Sequence, residues 1–444
     1  MRDWSAERFA RAAGARLQSA PPFDRAAAGP SRVTIDSRDI GPGVLFVGLP
    51  GTRADGGRFA RQALDQGAWG ALVAPEHALA AAAEPAPAGV LLAADDPLAA
   101  LQALAREWRR ELGAQVVGVT GSTGKTSTKD ILAAMLAQEC SVVASSQNFN
   151  TEIGLPLTIL GAPAGTQTLV LEMAMRGAGQ IAELAAIAEP DVGVIVNIGP
   201  VHLELLGSLE AVAAAKAELI AGLRPGATAV LPADEPLLDA YRRDDVEVVT
   251  FGPGGDVAEI PGELELPFSS EHMRSNALAA LAAARAVGVE PRGRLDVRLS
   301  ALRGQRIELP GPVLVIDDCY NANPMSMRAA LDDLAASAPG RRVAVLGDML
   351  ELGPGEACFH AEIGAHASAV GVDVLVTVGS LAAGMADGYA AGGEPDHRAT
   401  ADAAQAATLV AQLVVPGDTV LVKGSRWVGL EVVAQRLRAA AAEA

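Results

Sequence analysis

Of the 35 basic side chains in this chain only four are lysines, Lys125, Lys129, Lys216 and Lys423. Lysine carries a compact ammonium that can lose its proton when buried, whereas a guanidinium is planar and permanently charged. A chain that otherwise uses arginine therefore marks with lysine the places where an amine is needed. Lys125 stands in VTGSTGKTSTKD, which reads as the end of an apolar strand, a tight glycine turn and the start of a helix. That order aims backbone N–H groups and the positive end of a helix at phosphate oxygens. Gly121, Ser122, Thr123, Gly124, Lys125, Thr126 and Ser127 are the expected phosphate loop, with Lys125 on the β- and γ-phosphates and the Thr126 hydroxyl on Mg²⁺. The strict spacing of such loops would put a glycine at Val119, so this one departs from the bare motif. Lys129, one turn further on, is expected at the surface.

Two further residues reach the same edge if the apolar runs are parallel strands. Glu172 ends TLVLEM and His202 follows DVGVIVNIG, and in an open parallel sheet the strand C-termini face the ligand crevice. A carboxylate there must be paired or bound to a cation, because desolvating it bare is costly. Glu172 is therefore expected as a Mg²⁺ ligand, the alternative being a neighbouring arginine. A lone histidine after a strand is commonly a packing residue, but the place beside the phosphate loop favours a metal role for His202. Lys216 lies in SLEAVAAAKAELIAGL, a helix capped by Ser208 whose apolar stripe takes in Val212, Leu219, Ile220 and Leu223. Residue 216 falls on that stripe. A protonated amine is disfavoured there, whereas a neutral one can add carbon dioxide and become a carbamate, a carboxylate on a long arm. Carbamylated Lys216 with His202 would then hold a second Mg²⁺; the alternative is a lysine that snorkels to the surface.

The elements that must position these groups are legible in the alternation of apolar runs and helical stretches. A chain of 444 residues, half of them hydrophobic, divides into several domains. Residues 1–112 carry the short β-like runs VTID and VLFVGL and read as a small α/β domain. Residues 113–310 alternate QVVGVT, SVVAS, TLVLEM, DVGVIVN and TAVLP with helices, the rhythm of a parallel sheet covered on both faces. Residues 311–444 resume it with VLVID, RVAVLG, VDVLVTVG and DTVLVKG, a Rossmann-like unit. The expected fold is α/β in three domains, with hinges near 112 and 311. The formal charge of −18 argues against a surface for nucleic acid or anionic lipid, so an anionic ligand must bind in a focused pocket. Cys140, Cys319 and Cys358 are too scattered for a disulfide framework, and no run of about 18 apolar residues occurs. A soluble, cytoplasmic protein without membrane insertion is expected.

Beyond the phosphate loop the chain resembles the Mur ligases of peptidoglycan synthesis over nearly its whole length. TIDSRDIGPGVLFVGLPGTRADGGRF resembles the family's N-terminal UDP-binding domain, and SQNFNTEIGLPLT, LEMAMRGAGQIAEL, NIGPVHLELLGSLEAVAAAKAEL and HMRSNALAA resemble successive central motifs. IDDCYNANPMSM, VLGDMLELG and VKGSR are similar to the branch that adds a dipeptide, and the Asp-Asn-Pro-Arg motif of third-residue ligases is lacking. The resemblance implies that Lys125, Glu172, His202 and Lys216 are catalytic, with Thr126, Glu172, His202 and carbamylated Lys216 holding two Mg²⁺ ions. It implies ATP contacts from Asn276, Arg306, Asp318, Tyr320 and Asn321. Ser37 and Arg38 would meet the UDP portion and Asn150 and Thr151 the muramoyl-peptide side, with Asp348, Lys423, Ser425 and Arg426 at the incoming dipeptide or the phosphate end. Two positions depart from the pattern: Gly57 stands where the family's DGH has histidine, and Ala174 where glycine is common.

The activity so implied joins D-alanyl-D-alanine to UDP-N-acetylmuramoyl-tripeptide at the expense of ATP, in an enzyme expected to be a monomer. Three other readings share the phosphate loop: a Mur-type ligase adding a single amino acid, a kinase that phosphorylates a hydroxyl, and a non-catalytic ATP switch.

Overall fold

The computed structural model describes all residues except 2, 21–28, 53, 84–87, 147, 391–395 and 444. It is an α/β protein with three large sheets, each wrapped by its own helices. The first has the strand order Arg16–Ser19, Val90–Ala93, Gly70–Val73, Val44–Val47, Arg32–Thr34, parallel except for its first pair. The second runs Glu247–Phe251, Thr228–Pro232, Val192–Ile195, Gln115–Thr120, Thr168–Glu172, Val142–Ala144 and is parallel throughout. The third runs Gln305–Leu309, Val313–Asp317, Thr419–Lys423, Arg342–Gly347, Val374–Val378, Asp396–Thr400, with only the first pair antiparallel. Central strands such as Thr168–Glu172 and Val374–Val378 are buried along their length, as parallel strands covered on both faces must be.

Register fixes where the site can be. Val119 lies opposite Glu172 and Thr120 opposite Ile195, so three adjacent strands of the second sheet end along one edge. The phosphate loop, Glu172 and the segment leading to His202 leave the sheet there. Helices Lys125–Leu136 and Glu271–Ala286 share one apolar core on this sheet. On the other face Gly154–Gly161, Gln180–Ala188 and Leu209–Ala221 share a core with the first domain.

That shared core overturns the expected hinge near 112. The helix Pro97–Leu112 is clamped to the central domain: Trp108 Nε1 donates to Ala162 O at 3.0 Å, Arg109 Nε to Ala188 O at 3.0 Å, and Arg106 Nε to Ala186 O at 3.0 Å. With indole and guanidinium donors spent on helix-end carbonyls, this junction is a packed contact. The third sheet has apolar cores of its own, separate from that shared core. Its boundary also differs from the expected 310/311. Gln305–Leu309, assigned to the central segment, pairs antiparallel with Val313–Asp317, and the turn at Gly311, φ 80°, is the bend of that hairpin. No helix among the described residues is long and apolar enough to cross a membrane.

Candidate active site

The loop after Thr120 is held from its flank before any ligand arrives. Ser122 N donates to Asn197 O at 3.1 Å and Thr123 N to Asn197 Oδ1 at 2.9 Å, while Asn197 Nδ2 returns a bond to Thr123 Oγ1 at 3.0 Å. Ser122 Oγ accepts from Gly199 N at 2.9 Å. Gly124, the residue before the helix, has φ 74°, and a Cβ there would stand 2.3 Å from Asn276 Oδ1. Glycine is required on both counts, and Asn276 is pressed against the loop from helix Glu271–Ala286.

Lys125 is half-buried and folds back on the loop, its Nζ donating to Gly121 O at 2.7 Å. Burial lowers its pKa from 10.5 to about 8; Glu172 opposes the shift and Arg303 adds to it. Glu172 is 1% exposed. Its Oε1 accepts from Asn150 Nδ2 at 2.8 Å, and its Oε2 is buried with no hydrogen-bond partner among the described residues. An uncompensated carboxylate oxygen is expensive, and a bound cation is the chemistry that satisfies it. No arginine among the described residues takes the part of the alternative partner.

Lys216 is 2% exposed, on the helix Leu209–Ala221 that Ser208 caps through Ala211 N, as its sequence predicts. Burial, then the charge of Lys125, drives its pKa well below the ordinary lysine value. It does not snorkel; burial disfavours the ammonium and shifts the balance toward the neutral amine, the form that reacts with carbon dioxide. His202 adopts a left-handed backbone, φ 53°, and so does Glu351, φ 65°, whose carboxylate meets His202 Nδ1 at 2.5 Å across the domain boundary. Two such residues store about 1–2 kcal/mol each, strain typical of functional sites. Burial lowers the His202 pKa, Glu351 opposes this, and the charges of Lys125 and Lys216 add to it. Lys125 is thus the electrostatic neighbour that Glu172, His202 and Lys216 share. Among the described residues no three His, Cys, Asp or Glu side chains form a metal-binding group.

A cleft of about 1360 Å³ opens between this edge and the third sheet. Ser122 to Ser127, Asn276, Arg306, Asp318, Asn321 and Lys423 are on its wall. Glu172, His202 and Lys216 lie off that wall, and Lys125 is the link between them and the cleft. Lys423, 2% exposed, donates to Asp318 Oδ2 at 2.6 Å and Asn321 O at 3.0 Å, tying two ATP-contact candidates together. Arg306 gives both Asp333 oxygens a bond at 3.0 and 2.9 Å.

Other expectations fare differently. Asp348 accepts from Ala382 N at 2.6 Å, Ser425 Oγ accepts from Leu350 N at 3.0 Å, and Arg426 pairs with Glu431 at 3.1 Å; none of the three is on the cleft wall. Tyr320 is also off the wall, its ring beneath Arg303. Asn150, expected at the peptide substrate, is spent on Glu172, and Thr151 Oγ1 accepts from Gly154 N at 3.5 Å. Ser37 and Arg38 are in the first domain, with Arg38 paired to Asp36 at 2.7 Å. At Gly57 a Cβ would meet His77 Cδ2 at 2.2 Å, so an imidazole from another helix fills the space. Lys129 is not at the surface: it is 3% exposed, donating to Asp130 and to Ser145 O at 2.8 Å. Sequence reasoning missed Asn197, Glu351 and Arg303, because each acts through a partner far away in the chain.

Comparison with known proteins accords with this geometry. Residues 119–261 match the Mur ligase middle domain, 302–426 the Mur ligase glutamate ligase domain, and 31–109 the Mur ligase family catalytic domain. In an alignment 430 positions long that covers 91% of this chain and 92% of the other, the chain is 36% identical to the UDP-N-acetylmuramoyl-tripeptide–D-alanyl-D-alanine ligase of Bacillus subtilis. The structure of MurF from Acinetobacter baumannii superposes with a TM-score of 0.85 at 28% identity, covering 98% of this chain and 99% of that one. MurF from Thermotoga maritima, in complex with ADP, gives 0.80 at 30% identity, covering 93% and 98%. The phosphate loop, the cleft beside it and these similarities over 91% of the chain make it a member of the Mur ligase family.

Proposed function

We propose that this protein is an ATP-dependent carbon–nitrogen ligase that joins D-alanyl-D-alanine to UDP-N-acetylmuramoyl-tripeptide, releasing ADP and phosphate, as a step in making peptidoglycan precursor. The observation that carries the reading is the phosphate loop with Lys125 on the wall of a cleft whose opposite wall belongs to the third domain. The relatives support the dipeptide-adding activity over addition of a single amino acid.

Amide formation from a carboxylate needs its oxygen turned into a leaving group. The loop N–H groups and Lys125 hold the terminal phosphates in line with the tripeptide carboxylate. The carboxylate oxygen forms a bond to the γ-phosphorus as the bond to the β,γ-bridging oxygen breaks and ADP departs. The free amine of the dipeptide then attacks the acyl carbon of the acyl phosphate, the C–N bond forms, phosphate leaves, and the amine gives up a proton. Lys125 and the loop amides disperse the negative charge of both transition states. The unpartnered Glu172 oxygen fits a divalent cation, and Thr126, Glu172, His202 and a carbamate on Lys216 are the residues that would hold Mg²⁺. Bound there, it would neutralise phosphate charge and polarise the transferred group.

Phosphate release with UDP-muramoyl-tripeptide, ATP and D-Ala-D-Ala, omitting each in turn, tests the reading. Release should require all three and should fail when diaminopimelate or lysine replaces the dipeptide. A second consequence comes from Lys125. With its pKa near 8 in the free protein, the amine is largely neutral at about pH 9, and a bound polyphosphate holds it protonated. ATP binding at about pH 9 should therefore take up close to one proton, and at about pH 6.5 close to none. Calorimetry in buffers of unlike ionisation enthalpy measures this; equal uptake at the two pH values contradicts it.

A further inference from the structure

The segment that leads from the central domain into the third sheet is fastened on both sides of one arginine. Asp130, on the phosphate-loop helix, accepts from Ser300 N at 2.8 Å and Ser300 Oγ at 2.9 Å, and is itself held by buried Lys129. On the third-domain side Tyr320 N donates to Leu302 O at 3.3 Å. Leu302 has a left-handed backbone, φ 61°, and the next residue, Arg303, is on the cleft wall. Its guanidinium carbon lies 4.1 Å from the centroid of the Tyr320 ring, a stack that holds a planar cation in place. Arg306, three residues on, is paired through one terminal nitrogen with both oxygens of Asp333. Arg303 is half-buried and has no carboxylate partner among the described residues. Its charge acts on the ammonium of Lys125. A cation held near a second cation, in a wall that leaves it unpaired, is costly until an anion arrives.

We propose that Arg303 is a phosphoryl-binding residue, meeting the γ-phosphoryl group of ATP together with Lys125 from the segment that joins the two domains. This rests on the nucleotide reading given above. The γ end is singled out because Arg303 and Lys125, the side chain expected at the terminal phosphates, line the same cleft, Lys125 from the phosphate loop and Arg303 from the segment between the domains. A guanidinium fork matches the spread of charge over the oxygens of a phosphoryl group in transfer. Ser300 and Tyr320 make the placement independent of nucleotide: one anchor belongs to the phosphate-loop helix and the other to the third domain.

The test uses the full-length R303A and R303Q variants, with R303K as the conservative partner. Affinities for ADP and for a non-hydrolysable ATP analogue are measured by calorimetry, alongside kcat for phosphate release. Both neutral variants should keep ADP affinity within about twofold, bind the analogue about tenfold more weakly and lose about a hundredfold in kcat, with R303K recovering part of the loss. R303Q keeps the stem and serves if R303A does not fold. Equal weakening of ADP and analogue, or unchanged analogue affinity, overturns the proposal. The nucleotide comparison is read without turnover. Failure of the wild type to release phosphate with all substrates would count against the ligase reading, and failure of the wild type to bind either nucleotide would overturn both.

Discussion

Replacing Lys216 with alanine is expected to lower phosphate release by about 10²- to 10³-fold while the protein stays folded. Lys216 is buried, and desolvation, then the charge of Lys125, lowers its pKa, so its ammonium is disfavoured in the fold. Substitution by methionine, of similar length, should leave the melting temperature unchanged or raise it, because a buried ionisable amine is replaced by an apolar group. The sign of the pH dependence agrees. The amine's pKa is lowered on folding, so the unfolded chain binds the extra proton, and stability from this group rises with pH up to the ordinary lysine value. Activity and stability are thereby separated. Arginine at 216 should be as inactive as alanine, since guanidinium forms no carbamate, whereas a short carboxylic acid added to K216A should restore part of the rate. Full activity in K216R would mean that a positive charge, and not a carbamate, is what the site uses.

The second large effect is expected at Glu172. E172Q keeps the shape and the Asn150 contact but removes the charge whose Oε2 has no partner. The substitution should cost about 10²- to 10³-fold in kcat, partly recovered at high Mg²⁺, with stability unchanged or improved. It also removes the one influence raising the pKa of Lys125. The pH at which nucleotide binding begins to take up a proton should therefore fall below its wild-type value. E172Q with wild-type kcat and an unshifted proton uptake would exclude Glu172 from the site.

Much of this site can be read along the chain because its parts are local. A strand, a glycine turn and a helix within a dozen residues place Lys125, and the stripe on one helix places Lys216, where tertiary packing agrees with the apolar period. The parallel sheet was equally legible, since buried strands are uninterrupted apolar runs. Edge strands were not. Asp396–Thr400 and Gln305–Leu309 carry charged and exposed residues, so nothing in their composition separates them from loops, and the domain boundary shifted as a result. Residues whose partners are remote in sequence were also hidden. Glu351 meets His202 across 149 positions and Asn197 holds Thr123 across 74, distances over which spacing carries no signal. The polar atoms of Asp348, Ser425 and Arg426, from two motifs of the third domain, are engaged with Ala382 N, Leu350 N and Glu431, contacts that the motifs alone do not reveal.

The most direct measurement of the central claim follows an oxygen atom. UDP-muramoyl-tripeptide labelled with ¹⁸O in its terminal carboxylate is turned over with ATP and D-Ala-D-Ala, and the phosphate released is weighed by mass spectrometry. Activation of the carboxylate by the γ-phosphoryl group requires one labelled oxygen in each phosphate formed. Unlabelled phosphate, with amide product made at the usual rate, would contradict the account.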